Sequence, residues 1–200
     1  LPPLPPYIKR KKTSEQQNQE DRERYQTCYA SVPGAIAAPT AGLHFTPEVL
    51  EALRERGTRV FELTLHVGLG TFSAVEDSDL RKHRMHSEHF QISEAVLNDL
   101  LEMKTEGKPI IAVGTTVVRV LESLALENYQ RHSGWTDIFI YPPYEFRMVD
   151  GMLTNFHLPN STLMMLVSAF CGRTNLLRAY REAVQERYRF FSYGDCMLIL

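Results

Sequence analysis

The sequence predicts a three-layer α/β/α sandwich with a largely parallel sheet. Apolar or alternating runs typical of strands recur along the chain and alternate with segments of helical length and periodicity. The run at 109–113 is continuously apolar, as strands covered on both faces of a sheet are. With 200 residues, 44% of them hydrophobic and 23% charged, the chain has the composition of an ordinary globular domain.

Capping residues and hydrophobic periodicity predict the elements in order. Thr46 followed by Pro47 begins a helix that ends at Gly57, and Ser93 begins another that Gly107 closes. The remaining boundaries follow from changes of periodicity. In chain order we expect a helix at 22–30, a strand at 35–38, a helix at 47–56, strands at 59–67 and 88–92, a helix at 94–106, a strand at 109–113, a helix at 117–127, strands at 137–141 and 149–154, a helix in the apolar segment that ends at 170, a helix at 175–188 and a final strand at 196–200.

The bulk properties narrow the class of protein. The proline-rich start and the polar stretch after it predict a linker or tail at 1–24, with the domain at 25–200. A net charge of −2 means that any nucleic-acid role has to rest on local patches. The 3 widely spaced cysteines indicate reduced thiols, and the start has no signal-peptide core. We therefore expect a cytoplasmic protein that does not cross a membrane.

Five polar, glycine-containing loops follow predicted strands, where ligands bind in open α/β sheets. We therefore predict that these loops form a pocket at one edge of the sheet. Their notable residues are Thr40, Gly42 and His44; His66, Gly68, Gly70 and Thr71; Thr115, Thr116 and Arg119; Asn155 and His157; and Ser192, Tyr193 and Asp195.

The turn at 114–116 has two interpretations. It leads from a strand into a helix, whose free N–H groups attract anions, and Arg119 could then add a bidentate contact. Alternatively, Thr115 only caps the helix and Arg119 pairs with Glu122 on the helix surface. In the loop that contains Gly68 and Gly70, the glycines allow the backbone to approach a ligand, but they do not form a dinucleotide-binding motif.

The histidine-rich segment 83–90 is a candidate metal site. On a strand, however, His86 and Glu88 face one side and His89 the other, so His83, His86 and His89 would not converge. We therefore expect either an acid/base or substrate-positioning pair of His86 with Glu88, or a surface strand without a role. His157 lies between apolar residues and is also consistent with a purely structural role. The chain has no nucleophile elbow, P-loop, HExxH or CxxC motif.

Seven blocks of the sequence resemble the S-adenosylmethionine:tRNA ribosyltransferase-isomerase family of queuosine biosynthesis, in that family's order. They are PGAIAAPTAGLHF (33–45), TLHVGLGTF (64–72), HRMHSEHF (83–90), IAVGTTVVRVLES (111–123), IFIYPPYEF (138–146), LTNFHLPNSTLMMLVSAF (153–170) and YRFFSYGDCMLIL (188–200). The resemblance implies that 25–200 is the C-terminal portion of an α/β catalytic domain. It also implies that 1–24 returns from the β-barrel inserted in that family, which is absent from this sequence.

The resemblance implies a combined transfer and isomerisation. The ribosyl part of S-adenosylmethionine would be moved to 7-aminomethyl-7-deazaguanine in tRNA and rearranged to epoxyqueuosine, with release of adenine and methionine. S-Adenosylmethionine is then a co-substrate, no cofactor is expected, and the partner is precursor tRNA bound to a monomer. The alternative is a truncated, non-catalytic α/β module that binds RNA or a nucleoside.

This reaction needs several acid/base groups that titrate near neutral pH, and histidine supplies them. The expected acid/base residues are His44, His66, His86, Glu88 and His157. The expected substrate-binding residues are Thr40, Gly42, Gly68, Gly70, Thr115, Thr116, Arg119, Asn155, Tyr193 and Asp195. Among these, the ring of Tyr193 and the carboxylate of Asp195 are the candidates for holding the sulfonium. No metal ligand is expected.

Overall fold

The computed structural model describes residues 4–5, 7–8, 14–68, 80 and 83–200, and in this part helices alternate with short strands. The helices are α1 (Glu15–Arg24), α2 (Pro47–Glu55), α3 (Glu94–Thr105), α4 (Thr115–Leu126), α5 (Thr162–Cys171) and α6 (Arg173–Gln185), with a 3₁₀ helix at Thr40–His44. The strands are β1 (Thr64–His66), β2 (Glu88–Gln91), β3 (Ile111–Val113), β4 (Ser133–Thr136), β5 (Gly151–Asn155) and β6 (Cys196–Ile199). No helix in the described part is both long and apolar enough to span a bilayer.

The described strands form two three-stranded sheets, in the orders β1-β2-β4 and β3-β5-β6. The α/β class is confirmed, but the prediction of a largely parallel sheet is wrong. Only β3 and β5 are parallel, and the β1–β2, β2–β4 and β5–β6 pairings are antiparallel. For the β5–β6 pair, the reason is the connection between the two strands. It consists of two consecutive helices that meet at Gly172, so the chain returns to the sheet in the opposite direction.

Three predicted elements differ from the structure. The helix expected at 22–30 is replaced by α1, whose Glu, Gln and Arg residues favour a helix without any hydrophobic periodicity. The strand expected at 35–38 does not form, although Ile36 donates one backbone hydrogen bond to Val67 O at 3.0 Å. The strand expected at 137–141 is displaced to β4, and the carbonyl of Ile138 accepts instead from the Arg119 side chain at 3.3 Å.

The segment predicted as a linker or tail packs against the domain at two places. The hydroxyl of Tyr7 is hydrogen-bonded to Ser192, and the guanidinium carbon of Arg24, at the end of α1, lies 5.8 Å from the centroid of the Tyr193 ring. These contacts place α1 beside the loop that precedes β6. The origin of residues 1–24 as a return from an inserted barrel stays a prediction.

The core is built around α4, which packs against β3, β4, β5 and α5. Val118, Val120 and Leu124 on this helix are fully buried, as are Phe90 in β2 and Met152 in β5. Within the described part of the chain, β3 is covered on one side only. Ala112 is buried whereas its neighbour Ile111 is 40% exposed, so the expectation of a strand covered on both faces is wrong.

Arg119 joins α4 to the sheet that contains β2. Its guanidinium forms an ion pair with Glu88, and both side chains are only 2% exposed. The same group donates to the carbonyls of His86 and Thr136, each at 3.4 Å. The alternative in which Arg119 pairs with Glu122 on the helix surface is therefore wrong, because the guanidinium points into the interior.

Glu122 is also buried, and its carboxylate organises the turn that leads into β5. It accepts backbone N–H groups from Arg147, Met148 and Val149 at 2.9–3.1 Å and the hydroxyl of Tyr144 at 3.2 Å. A buried carboxylate needs such donors because transfer from water is unfavourable without them. The negative charge of Glu122 and burial together raise the pKa of Tyr144.

We expect Glu88→Gln to lower the free energy of unfolding by about 3–5 kcal/mol, because Arg119 would keep a buried charge without its counter-charge. Urea unfolding followed by circular dichroism measures this difference.

Asp99→Asn is the matched control. It breaks the exposed ion pair of Arg59 with Asp99, 2.5 Å apart, and surface pairs contribute about 0–1 kcal/mol. Equal losses in the two variants would contradict a special role for the buried pair.

Candidate functional site

The 3₁₀ helix brings His44 against Asn155 at the end of β5. The amide nitrogen of Asn155 donates to His44 Nε2 and to the carbonyl of Phe191, each at 3.2 Å. Because that carbonyl can only accept, the amide nitrogen must face it. His44 Nε2 is then an acceptor, and the proton of the neutral imidazole lies on Nδ1. Two of the predicted site residues, from separate loops, are therefore in direct contact.

The environment of His44 keeps its imidazole neutral. Burial lowers the pKa of His44, the nearby charge of Asp195 partly opposes this, and Arg189 adds to the lowering. Asn155 is 2% exposed, and within the described part its Oδ1 has no hydrogen-bond partner. A buried acceptor without a donor is unfavourable in the free protein and is suited to receive a donor from a ligand.

A cavity of about 650 Å³ lies beside His44, between the end of α1 and the loop before β6. This volume is within the range of small-molecule sites. Among the described residues that line it, Arg22, Arg24 and Arg189 outnumber the one carboxylate, Glu23. The wall is therefore mainly cationic and suited to an anionic group such as a carboxylate or phosphate.

Tyr193 lines the cavity, whereas Asp195 lies just outside its lining and is engaged by Arg189. The ring of Tyr193 lines the cavity, and the guanidinium carbon of Arg24 lies 5.8 Å from its centroid. Asp195 accepts the backbone N–H of Arg189 at 2.7 Å and its guanidinium at 3.0 Å. These hydrogen bonds hold the pKa of Asp195 below its usual range, so the group is a carboxylate.

Hydrogen bonds and close packing bring four of the five predicted loops together. The 3₁₀ helix, the end of β5 and the loop before β6 meet through Asn155. The 114–116 turn joins them because a Cβ added to Gly114 would lie 3.7 Å from that of Ala41. Gly114 has φ +95°, which favours glycine, and Gly42 is needed for packing because a Cβ there would collide with Tyr29 Oη.

The threonines of these loops are less accessible than expected. Thr115 is buried at the start of α4, whereas Thr40 and Thr116 are half-buried. The fifth loop starts with His66 and Gly68, both half-buried, and is held to the 34–36 segment through Val67. Gly70 and Thr71 lie outside the described residues.

His157 has the contacts of a structural residue. Its Nε2 lies 2.8 Å from Thr154 Oγ1, and its backbone N–H donates to the hydroxyl of Tyr180 at 2.6 Å. Burial lowers the pKa of His157 to about 4, so the ring stays neutral at neutral pH. Of the two interpretations of this residue, the geometry favours the structural one.

The histidine-rich segment is divided among different neighbours. Glu88 is committed to Arg119 in the interior, whereas the His86 side chain is exposed. The ring of His83 packs against that of Phe139, with centroids 5.0 Å apart. The ring of His89 instead lies 5.9 Å from that of His66 in β1. Among the described residues, no three His, Cys, Asp or Glu side chains group together as a metal site would require.

The residues missed by sequence reasoning are the arginines of the cavity. Arg22 and Arg24 belong to α1, which lies in the polar stretch that the sequence predicts as a linker or tail. Arg189 was passed over beside the more polar SYGD run. The available signal was the Arg-x-Arg-Tyr sequence at 22–25, in which two cations precede an aromatic residue at the end of a segment with high helix propensity.

Comparisons with known proteins confirm the resemblance carried by the seven blocks. A family model described as queuosine biosynthesis protein matches residues 2–199. The S-adenosylmethionine:tRNA ribosyltransferase-isomerase of Natranaerobius thermophilus is 55% identical over 199 residues, which are 98% of this chain and 56% of the relative. The protein of the same name from Treponema denticola is 56% identical over 202 residues, which are 99% of this chain and 56% of the relative.

A solved structure agrees with the sequence matches. The crystal structure of S-adenosylmethionine tRNA ribosyltransferase from Thermotoga maritima superposes with a TM-score of 0.67 at 47% identity. The match covers 80% of this chain and 51% of that one. This chain therefore spans little more than half the length of the curated relatives that it matches.

We expect the stability of the protein to depend on pH through His157. Its folded-state pKa of about 4 is below the value of about 6.5 for an unfolded histidine, so the unfolded chain binds more protons between these values. The free energy of unfolding should therefore fall as pH is lowered through this window, with about 2 kcal/mol due to His157 between pH 7 and pH 4.5. Urea unfolding at a series of pH values measures the slope.

His157→Gln keeps a polar group near Thr154 but cannot titrate, so its slope should be shallower. His132→Gln, at an exposed histidine, is the control and should retain the wild-type slope. Identical slopes for His157→Gln and the wild type would contradict the assignment.

Proposed function

Because the chain belongs to the queuosine biosynthesis protein family, we propose that it carries out the reaction for which its relatives are named, ribosyl transfer from S-adenosylmethionine to tRNA with isomerisation. The observation that carries this proposal is the contact of His44 with Asn155 beside a cationic cavity. This contact occurs in a chain that is 53–56% identical to the named ribosyltransferase-isomerases along 98–99% of its length. The tRNA acceptor is then 7-aminomethyl-7-deazaguanine, and the product is epoxyqueuosine, with adenine and methionine released.

His44 is the acid/base residue that the geometry supports best. Ribosyl transfer from a sulfonium requires a base for the acidic proton beside sulfur, and a base has to be unprotonated at working pH. The lowered pKa of His44 meets this requirement. Its Nε2 lone pair is engaged by the Asn155 amide in the free protein. A ligand that draws the amide N–H away would release this lone pair for proton transfer.

The cavity wall fits the charged ends of S-adenosylmethionine. Arg22 and Arg24 offer bidentate partners for its carboxylate, while Arg189 is paired with Asp195. The ring of Tyr193 offers a face that attracts a sulfonium. In the free protein the guanidinium of Arg24 lies over this ring. The unpaired Oδ1 of Asn155 is suited to a donor on the nucleoside. We assign Thr40, Thr116 and Asp195 to the margin of this site, and Arg119, Glu88 and His157 to the fold around it.

The proposal also specifies the setting of the reaction. S-Adenosylmethionine acts as a co-substrate, no separate cofactor takes part, and precursor tRNA binds to a monomer in the cytoplasm. A non-catalytic α/β module that binds RNA is the alternative, and it is relevant because the chain spans 56% of its relatives.

The test is adenine release from S-adenosylmethionine in the presence of precursor-modified tRNA. We expect the wild-type chain to release adenine, and His44→Ala to be slower by roughly 10²–10⁴-fold, the contribution of a general acid or base. His132→Ala, at an exposed histidine, is the matched control and should keep the wild-type rate.

A wild-type rate in folded His44→Ala would remove His44 from the mechanism. If the Thermotoga maritima enzyme releases adenine under the same conditions and this chain does not, the proposed activity of the chain is wrong and the binding module is the better account.

A further inference from the structure

Three ring side chains form a continuous row across the β1-β2-β4 sheet. The strand register places His66 opposite His89 and His89 opposite Trp135. The His66 and His89 rings are 5.9 Å apart and nearly parallel, at 26°, and the His89 and Trp135 rings are 5.3 Å apart at 70°. We call these three residues the ring row.

A second row on the same face consists of neutral polar residues. The register pairs Thr64 with Gln91 and Gln91 with Ser133, two residues along each strand from the ring row. Alternation of side chains puts Phe90 and Thr136 on the opposite, buried face. The six residues of the two rows carry aromatic or hydrogen-bonding groups, and none is acidic.

The ring row is more exposed than packing of the domain requires. Trp135, the single tryptophan of the chain, is 60% exposed, while Phe90 on the other face is fully buried. His66 and His89 are half-buried, and the backbone of Gly34 lies against the His66 ring, since a Cβ on Gly34 would be 2.8 Å from it. The most accessible ring of the row is therefore that of Trp135, and none of the three rings belongs to the hydrophobic core cluster. An exposed aromatic row of this kind is typical of a binding surface.

We propose that this face binds unpaired bases of RNA by stacking on the ring row. Sheet faces that bind single-stranded RNA use aromatic rings for the bases, and neutral polar groups hydrogen-bond the base edges. The lack of a carboxylate among the six residues avoids repulsion of the phosphates. That the RNA is the tRNA substrate rests on the proposed function, whereas the base-stacking surface itself does not. On this proposal His66 belongs to the RNA-binding surface and is not an acid/base residue.

Trp135 makes a direct test possible because all tryptophan fluorescence comes from the proposed surface. We expect a single-stranded heptaribonucleotide to quench this fluorescence with saturation, since stacking brings a base onto the indole. The same strand in a perfect duplex should quench far less at equal salt, because its bases are not available. Adenosine alone should bind much more weakly than the oligonucleotide.

Variants test the rings individually through the fluorescence anisotropy of a labelled oligonucleotide. His89→Ala and Trp135→Ala should each weaken binding by roughly five- to a hundredfold, the range for loss of one stacked base. His89→Phe keeps a ring and should restore binding to near the wild-type value, which a merely structural role for His89 would not predict. Val184→Ala, at an exposed apolar residue of α6, is the matched control and should bind as the wild type does.

The proposal is overturned if the heptaribonucleotide causes no saturable quenching, or if His89→Ala and Trp135→Ala bind it as tightly as the wild type. Equal affinity for duplex and single strand would mean that the phosphates, and not the bases, are bound. Equal affinity for adenosine would make the surface a nucleoside site instead. The two proposals fail separately, because binding without adenine release leaves the stacking surface intact, and adenine release unaffected by the ring variants leaves the proposed activity intact.

Discussion

The buried ion pair of Arg119 with Glu88 is the contact on which the arrangement of the two sheets depends. Helix α4 packs against β3 and β5, and its arginine reaches β2 and β4 of the other sheet. Two charges are tolerated in the interior because the guanidinium also donates to backbone carbonyls in or next to β2 and β4. The ion pair therefore positions the sheet that carries the ring row relative to the helix that starts beside His44.

The polar groups of this protein are divided between the fold and the candidate site. Glu122 illustrates the first use, since its four hydrogen bonds satisfy the carboxylate completely and fix the entry to β5. Asn155 illustrates the second, since its nitrogen is satisfied while its oxygen is buried without a donor among the described residues. A buried group with an unmet hydrogen bond is the more informative feature, because stability alone gives no reason to keep it. This criterion supports the proposal that His44 and Asn155 take part in the chemistry and that His157 belongs to the scaffold.

Local signals predict the helices α2 to α6, but neither the bounds of α1 nor the arrangement of the sheets. Thr46 and Ser93 cap α2 and α3 as expected, because capping depends on residues three positions apart. The sequence indicates two helices before β6, but periodicity does not determine the direction in which β6 joins the sheet. His44 and Asn155 were both identified, but their contact links positions 111 residues apart. The ring row had no local signal at all, because it arises only when three distant strands adopt their register.

The coupling of the two sheets through Arg119 is tested most directly by amide hydrogen exchange of the wild-type chain and Glu88→Gln, followed on peptides from β2, β4, β3 and β5. If the ion pair joins the sheets, the amides of all four strands will exchange faster in the variant, since α4 would no longer connect the two sheets. Loss of protection confined to β2, with β3 and β5 exchanging as in the wild type, would contradict this account.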